Sequence, residues 1–572
     1  MYEWLSRLDH HFPVRYTAWL LCAVGFMLCA FAWVGFGVGG WWALAFLFGA
    51  ALGVRDTRQN RHSVLRNYPV IGHIRFLLEF VRPEIRQYFI ESDREAAPFS
   101  RQQRSLVYQR SKGAQDKRPF GTQLDVRASG YEWINHSLAP TEIAGHDFRI
   151  TIGDTGSSCT RPYSASVFNI SAMSFGALSA NAILALNQGA KRGGFAHDTG
   201  EGSISQHHRV HGGDLIWEIG SGYFGCRNDD GSFSPERFAA AAAEAQVKMI
   251  EIKLSQGAKP GHGGVLPGAK VTPEIAAARG VQVGVDCVSP ARHSAFGTPV
   301  EMMRFIERLR TLSGGKPVGF KLCIGHPWEW FALAKAMLET RLLPDFIVVD
   351  GGEGGTGAAP LEFTDHVGAP LQEGLLLVHN TLVGLNLRHR VRIGCAGKVI
   401  SAFDIARMNA LGADWCNSAR GFMFSLGCLQ AQTCHTGHCP TGVATQDPYR
   451  QRALVVPDKA ERVYRYHQNT LAALKELVQA AGLMHPHQIS ATHIVRRTGE
   501  QEVKLLANML PFLKPGALLA AARGEADWPH NVYRLYWDLA RSTSFAVAGR
   551  ADLSPQGSDA AAPIAAGVAQ PA

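Results

Sequence analysis

Phe346-Ile-Val-Val-Asp-Gly-Gly-Glu-Gly-Gly-Thr-Gly357 decides the fold. An apolar, β-branched run of this length reads as a strand buried on both faces, and the glycines after it let the backbone approach a ligand or another loop closely. Seven further short runs share this character: 167–171, 195–199, 249–253, 283–288, 318–323, 391–395 and Trp415–Ser418. Most of the gaps carry a helical pattern, as at 178–192, 235–246, Pro299–Leu312, 328–341 and 402–411. Eight βα units in about 260 residues predict an α/β fold, a (β/α)8 TIM barrel with its active site at the C-terminal ends of the strands.

Outward from the barrel, residues 16–54 contain no charged side chain. Such a run is too long for a signal-peptide core, and Gly37, Gly39 and Gly40 divide it into about 20 and about 14 residues. One span or a transmembrane hairpin both fit. Arg7 and Arg15 on one side and Arg55, Arg58 and Arg61 on the other favour a hairpin with both termini cytoplasmic. The expected organisation is a membrane anchor over 1–54, a juxtamembrane basic and aromatic helix over 55–100 and a cap segment over 101–165. The barrel follows over 166–485, then a C-terminal helical extension over 486–553 and a disordered Ala/Pro/Gly/Ser tail over 554–572.

The chain has 572 residues, 46% of them hydrophobic, which excludes wholesale disorder. Its net charge of +9 is scattered except beside the apolar segment, so it points to membrane topology and not to nucleic acid. The 11 cysteines fall short of secreted-scaffold density, and three of them crowd into 428–439. That is metal ligation in a reducing compartment. The expected location is the inner (cytoplasmic) membrane, with the catalytic domain facing the cytoplasm.

Polar and glycine-rich motifs gather after the predicted strands. They include Ala172-Met173-Ser174-Phe175-Gly176, Asp198-Thr199-Gly200-Glu201-Gly202 and 255–264 with Gln256 and Lys259, then Asp350-Gly351-Gly352 and Ala396-Gly397-Lys398. Barrels bind phosphate with the last two loops, which makes Gly397, Ala419 and Arg420 candidates. Lys321, in an apolar stretch, reads either as half of a buried ion pair or as a charge beside a flavin ring. Cys428, Cys434 and Cys439, spaced C-x5-C-x4-C, suit an iron–sulfur cluster, or zinc with His435 or His438 as fourth ligand.

In this order, Ala-Met-Ser-Phe-Gly, Thr-Gly-Glu-Gly, Gln-Gly-Ala-Lys-Pro-Gly, the 350–357 run and C-x5-C-x4-C-Pro-Thr-Gly-Val-Ala-Thr-Gln resemble the FMN-binding synthase domain of glutamate synthases, in its short single-domain branch. The resemblance covers about residues 100–485. It implies FMN, a [3Fe-4S] cluster on Cys428, Cys434 and Cys439, and reductive amination of 2-oxoglutarate to L-glutamate. It places Met173, Ser174 and Lys321 at the flavin and the seventh and eighth loops at its phosphate. Gln256, Lys259 and Arg279 fall at the 2-oxo acid, with Glu201 in the loop that in the large enzymes senses substrate and cluster state.

Three departures stand out. Val265 replaces a glutamine, Ala291-Arg292-His293-Ser294 replaces Pro-Pro-His-His, and Glu251 replaces a glutamine near the flavin, where a carboxylate must be protonated or paired, with Arg292 a candidate partner or a new substrate contact. Met1 leads straight to the apolar segment, so no amidotransferase domain is expected and the nitrogen comes from ammonia or an amine. No nicotinamide-binding fingerprint is visible, so electrons are expected from an external donor, a ferredoxin or a membrane carrier. Two rival activities are a related enzyme forming or oxidising an N-substituted glutamate and a membrane electron-transfer flavoprotein without C–N chemistry. A homo-oligomer is compatible with the sequence.

Overall fold

The structure, a computed structural model, describes residues 14–547 apart from residues 60, 95 and 96. Arg7, Arg61's neighbour Asn60 and the tail from Ser554 lie outside the described residues. Two compact units divide the chain after Gln102.

In the second unit eight parallel strands close into a barrel: β1 Phe168–Ile170, β2 His197–Asp198, β3 Leu215–Ile219, β4 Val247–Lys253, β5 Val318–Leu322, β6 Phe346–Asp350, β7 Arg392–Ala396 and β8 Trp415–Ser418. The pairing of Cys416 with Phe168 and of Asn417 with Asn169 completes the ring. Seven of the strands overlap the runs read from the sequence, and one does not. Residues 283–288 supply no barrel strand: Gly284 turns the chain at φ 74°, and Cys287–Val288 pairs antiparallel with Val265–Leu266 in a hairpin. The strand in its place is Leu215–Ile219, buried along its whole length and bulged at Leu215/Ile216 against β4.

Helices alternate with the strands and bury one face each. Pro299–Leu312 begins with a Thr298/Glu301 capping box and Pro299 in its first turn, which fixes its start at the predicted residue. The helix Ala180–Gly193 lies against the 25-residue helix Val456–Ala480 so closely that a Cβ on Gly189 would sit 2.5 Å from Val463. At the N-terminal end of the barrel the hairpin Arg149–Ile152/Tyr163–Ser166 places Ile152, Tyr163 and Ala165 in one core with Ile216, Met249 and Phe346. This plugs the end opposite the strand C-termini. The segment after 486 is not purely helical: Ile494–Arg497 pairs with Glu132–Ile134 and Val503–Leu505 in a three-stranded antiparallel sheet before the short helices begin.

The first unit holds two long helices, Thr17–Phe36 and Gly40–Arg58, joined through Gly37 and Gly39 in left-handed conformation. They form a hairpin: Trp19 Nε1 donates to the Ala50 carbonyl at 2.9 Å, and Gly49 and Gly53 leave room for Cys22 and Trp19. Three shorter helices, Ser63–Asn67, Gly72–Ile85 and Arg86–Ile90, stand where one juxtamembrane helix was expected. Backbone turns at Tyr68 and Val70, the latter with φ 65°, separate the first two.

Candidate active site

At the barrel floor, strands β2, β3, β4, β5 and β6 each direct a charged side chain inward. Lys321 of β5 pairs with Glu218 of β3 and stands 3.2 Å from Glu251 of β4. All three are almost fully buried. The carboxylates of Asp198, Glu218 and Glu251 lie within 4.8 Å of one another. Four acids around one lysine cannot all be ionised without heavy cost in so dry a place. Burial raises the Asp198 carboxyl well above its usual range, with Glu251 adding to the effect. Burial likewise pushes Glu251 up to about 7 and Asp350 up to about 6, although Lys321 opposes both. Burial alone would lower Lys321, but Glu218 and Glu251 overturn it and hold the ammonium firmly charged.

Above this floor a second cluster forms around Glu201. Lys253, at the end of β4, reaches Glu201 at 2.7 Å, and Ser289 Oγ donates to the same carboxylate oxygen at 3.1 Å. Burial would raise the Glu201 carboxyl, yet Lys253, with Arg279 and Lys259 behind it, holds it down at about 2. Arg279 ends the helix Pro273–Arg279; its guanidinium donates to the Phe175 carbonyl at 3.2 Å and lies 5.3 Å over the Phe224 ring. Its Nε has no protein partner. Burial lowers Lys259, and Glu201 opposes the shift. Three cations, each less than a tenth exposed, thus face one carboxylate. That excess charge suits a dianionic ligand.

The loops above the strands pack backbone against backbone. A Cβ on Gly257 would stand 1.8 Å from the Gly351 carbonyl oxygen, and one on Gly200 would stand 2.7 Å from the Ser174 nitrogen. Asp350 accepts from the Gly257 N–H at 2.8 Å, fastening the fourth loop to the sixth. Arg420 joins the sixth and eighth loops through the Thr356 carbonyl at 2.6 Å.

The cysteine segment follows the helix Arg420–Leu426. Cys428 and Cys439 are buried and Cys434 half-buried, while His435 and His438 are exposed. Burial raises the Cys428 thiol to about 11, and the neighbouring Cys434 and Cys439 add to this. Among the described residues the one trio of donors drawn within 4.8 Å is the barrel-floor carboxylates, so the three sulfurs are spread wider.

A family model described as a conserved region in glutamate synthase matches residues 156–484, more than half of the chain. The chain belongs to the glutamate synthase family. The glutamate synthase large subunit-like protein YerD of Bacillus subtilis (strain 168) is 39% identical over 498 residues, with 80% of this chain and 94% of that protein covered. The archaeal-type glutamate synthase (NADPH) of Thermotoga sp. (strain RQ2) is 35% identical, with 59% of this chain and 64% of that protein covered. For the archaeal glutamate synthase (NADPH) of Methanocaldococcus jannaschii the figures are 35%, 55% and 58%. The chain therefore spans less than two thirds of these last two relatives. Family membership makes it a glutamate synthase-like oxidoreductase.

Within this glutamate synthase-type barrel, Glu201, Lys259 and Arg279 come together, with Gln256 half-buried in the same loop as Lys259. Met173 is buried and Ser174 half-buried beside Gly200. The amides of Gly351 and Gly352 donate to the Ala396 and Ala369 carbonyls. Glu251 faces Lys321 and not Arg292, which is exposed. Lys253, Ser289 and Glu218 were missed. Glu218 had a readable signal, since Leu-Ile-Trp-Glu-Ile is a buried-strand run between Gly213-Asp214 and Gly220.

Proposed function

We propose that this glutamate synthase family member is an FMN- and [3Fe-4S]-dependent enzyme that aminates 2-oxoglutarate reductively to L-glutamate. Ammonia or a small amine supplies nitrogen, and an external donor, a ferredoxin or a membrane carrier, supplies electrons. The balance is one 2-oxo acid, one ammonia, two electrons and two protons to one glutamate and one water. The observation that carries this reading is the convergence of Lys253, Lys259 and Arg279 on Glu201 directly above a charged barrel floor.

The residues fit a flavin. Both Glu251 carboxylate oxygens lack a well-aligned hydrogen-bond donor, and the mouth is lined by backbone that side chains at Gly200 and Gly257 would obstruct. Gly397, Ala419 and Arg420 would hold the phosphate end of FMN, and Met173, Ser174 and Lys321 its ring, which would supply the hydride that reduces C2. Cys428, Cys434 and Cys439 would hold the cluster, which supplies single electrons.

The chain's own residues do the rest. Lys259 and Arg279 bind and orient the carboxylates of the dianion. Glu201 holds Lys253 in place until a substrate carboxylate competes for it. Glu251, raised to about 7, can hold a proton near neutral pH and return it to the reaction, whereas Asp350, raised to about 6, is mostly ionised there.

Anaerobic photoreduction of the purified protein, followed by 2-oxoglutarate and ammonia, tests the reading. Flavin reoxidation with stoichiometric glutamate is expected; a colourless protein, or reoxidation without glutamate, defeats it. One observation favours a larger amine. Val265 pairs with Val288 in an exposed apolar hairpin, and Val265 adjoins Gly264, which lies against Glu201. If an N-alkyl group rests there, methylamine outcompetes ammonia in the same assay.

The helix Thr17–Phe36 is long and apolar enough to cross a bilayer. Together with the exposed Leu77, Phe80 and Phe89 and the basic Arg82 and Arg86, it supports attachment to the cytoplasmic membrane with the barrel in the cytoplasm.

A further inference from the structure

Helix Arg101–Lys112 precedes residues 156–484, the region that defines the family, yet it is built into the wall of the cysteine segment. Tyr108 Oη donates to the carbonyl of Cys428 at 2.6 Å. The Tyr108 ring meets Phe424 edge-on at 6.2 Å, and Phe424 lies on the helix that leads into the cysteines. Arg104 stands one turn earlier on the same helix face. It is 4% exposed, and its Nη1 lies 3.5 Å from the carbonyl of Leu429, the residue after the first cysteine. The far end of the helix is clamped by the helix Val456–Ala480, where Asn469 donates to the Arg110 carbonyl at 2.8 Å and Arg465 to the Lys112 carbonyl at 3.2 Å. Val107 between them is fully buried.

A short bond to a neutral carbonyl and a buried guanidinium do different things. The phenol fixes the backbone from which the Cys428 thiolate projects. The guanidinium places a positive charge in a low-dielectric wall, where its field is poorly screened. A cluster that accepts an electron gains negative charge, and hydrogen bonding, net charge and burial around the ligands set its potential.

We propose that Arg104 and Tyr108 are positioning residues of the iron–sulfur site, Tyr108 holding the first thiolate in register and Arg104 raising the potential of the cluster. This rests on the reading that Cys428, Cys434 and Cys439 bind the cluster. It makes the cluster dependent on a helix that the family-defining region does not contain.

The test uses the full-length protein purified without oxygen, with iron analysis, release of iron to a chelator and an EPR-monitored redox titration. Arg104→Met is expected to keep its iron and titrate at a lower midpoint than wild type, whereas Arg104→Lys titrates like wild type. Tyr108→Phe is expected to keep the flavin spectrum and melting temperature but release iron at least about fivefold faster. Unchanged midpoint in Arg104→Met together with unchanged iron release in Tyr108→Phe overturns the proposal. Should Arg104→Met fail to fold, Tyr108→Phe decides the matter, because it removes one oxygen from a ring that stays packed. Wild type without iron sinks the cofactor reading itself; wild type with iron and indifferent variants sinks this inference alone.

Discussion

Glu251 lies at the barrel floor opposite Lys321, and its carboxyl is raised by burial to about 7 from an ordinary 4.5. A group raised on folding stabilises the fold fully below its unfolded pKa and ceases to do so as the pH climbs through its folded pKa. Its contribution is therefore present near pH 4 and lost as the pH passes about 7. Glu251→Gln does not titrate, so its melting temperature relative to wild type should rise between pH 5 and 8, by at most about 1.4 kcal/mol per pH unit. Parallel melting curves for the two proteins across that range would contradict the assignment. Arg279 acts at the other cluster. Its removal takes away a charged hydrogen-bond donor worth about 1.5–3 kcal/mol, so Arg279→Ala should raise KM for 2-oxoglutarate roughly 10- to 100-fold. Flavin content, read from absorbance, should stay at the wild-type level, because Arg279 faces Phe175 and Phe224 and not the barrel floor.

Strand β3 shows how an element binds floor and wall together. Its Glu218 faces Lys321, while Trp217 turns outward, fully buried, and stacks on Phe238 of the next helix at 5.3 Å. Trp217→Ala leaves a large cavity there and should cost about 3–5 kcal/mol, measurable by denaturant titration. A loop substitution should behave differently. In Gly257→Ala the new methyl meets the backbone of Gly351, which cannot yield as a side chain does. The fourth and sixth loops must part, so FMN should bind at least about tenfold more weakly while the far-ultraviolet circular dichroism stays unchanged. Retention of tight FMN binding would show that the contact between these loops does not shape the flavin's seat.

For the whole molecule, the proposed attachment to a membrane rests on the helix Thr17–Phe36, in which Leu28 and Phe31 are both exposed. Replacing both with arginine places two charges where each costs about 3 kcal/mol in a bilayer. The doubly substituted protein should move from the alkali-resistant membrane pellet to the soluble fraction, and wild type should not. The sequence alone determined the barrel, because a parallel strand covered on both faces must be an apolar run and most of the runs here are followed by glycine-rich or polar loops. It also determined the family, through long motifs carried in order. Residues 283–288 misled because alternation of valines reports a half-buried strand without saying which sheet receives it; pairing with Val265–Leu266 is a long-range choice. The short helices of the first unit and the sheet that joins Glu132–Ile134 to Ile494–Arg497 were illegible for the same reason. What only the tertiary structure decided is charge. Lys321, Glu218 and Glu251 come from three strands, and Lys253, Glu201, Lys259 and Arg279 from three separate loops and strand ends. Whether a lysine meets a flavin, a phosphate or a carboxylate depends on distances of a few ångströms between residues far apart in the chain, and burial then sets which of them carry a proton.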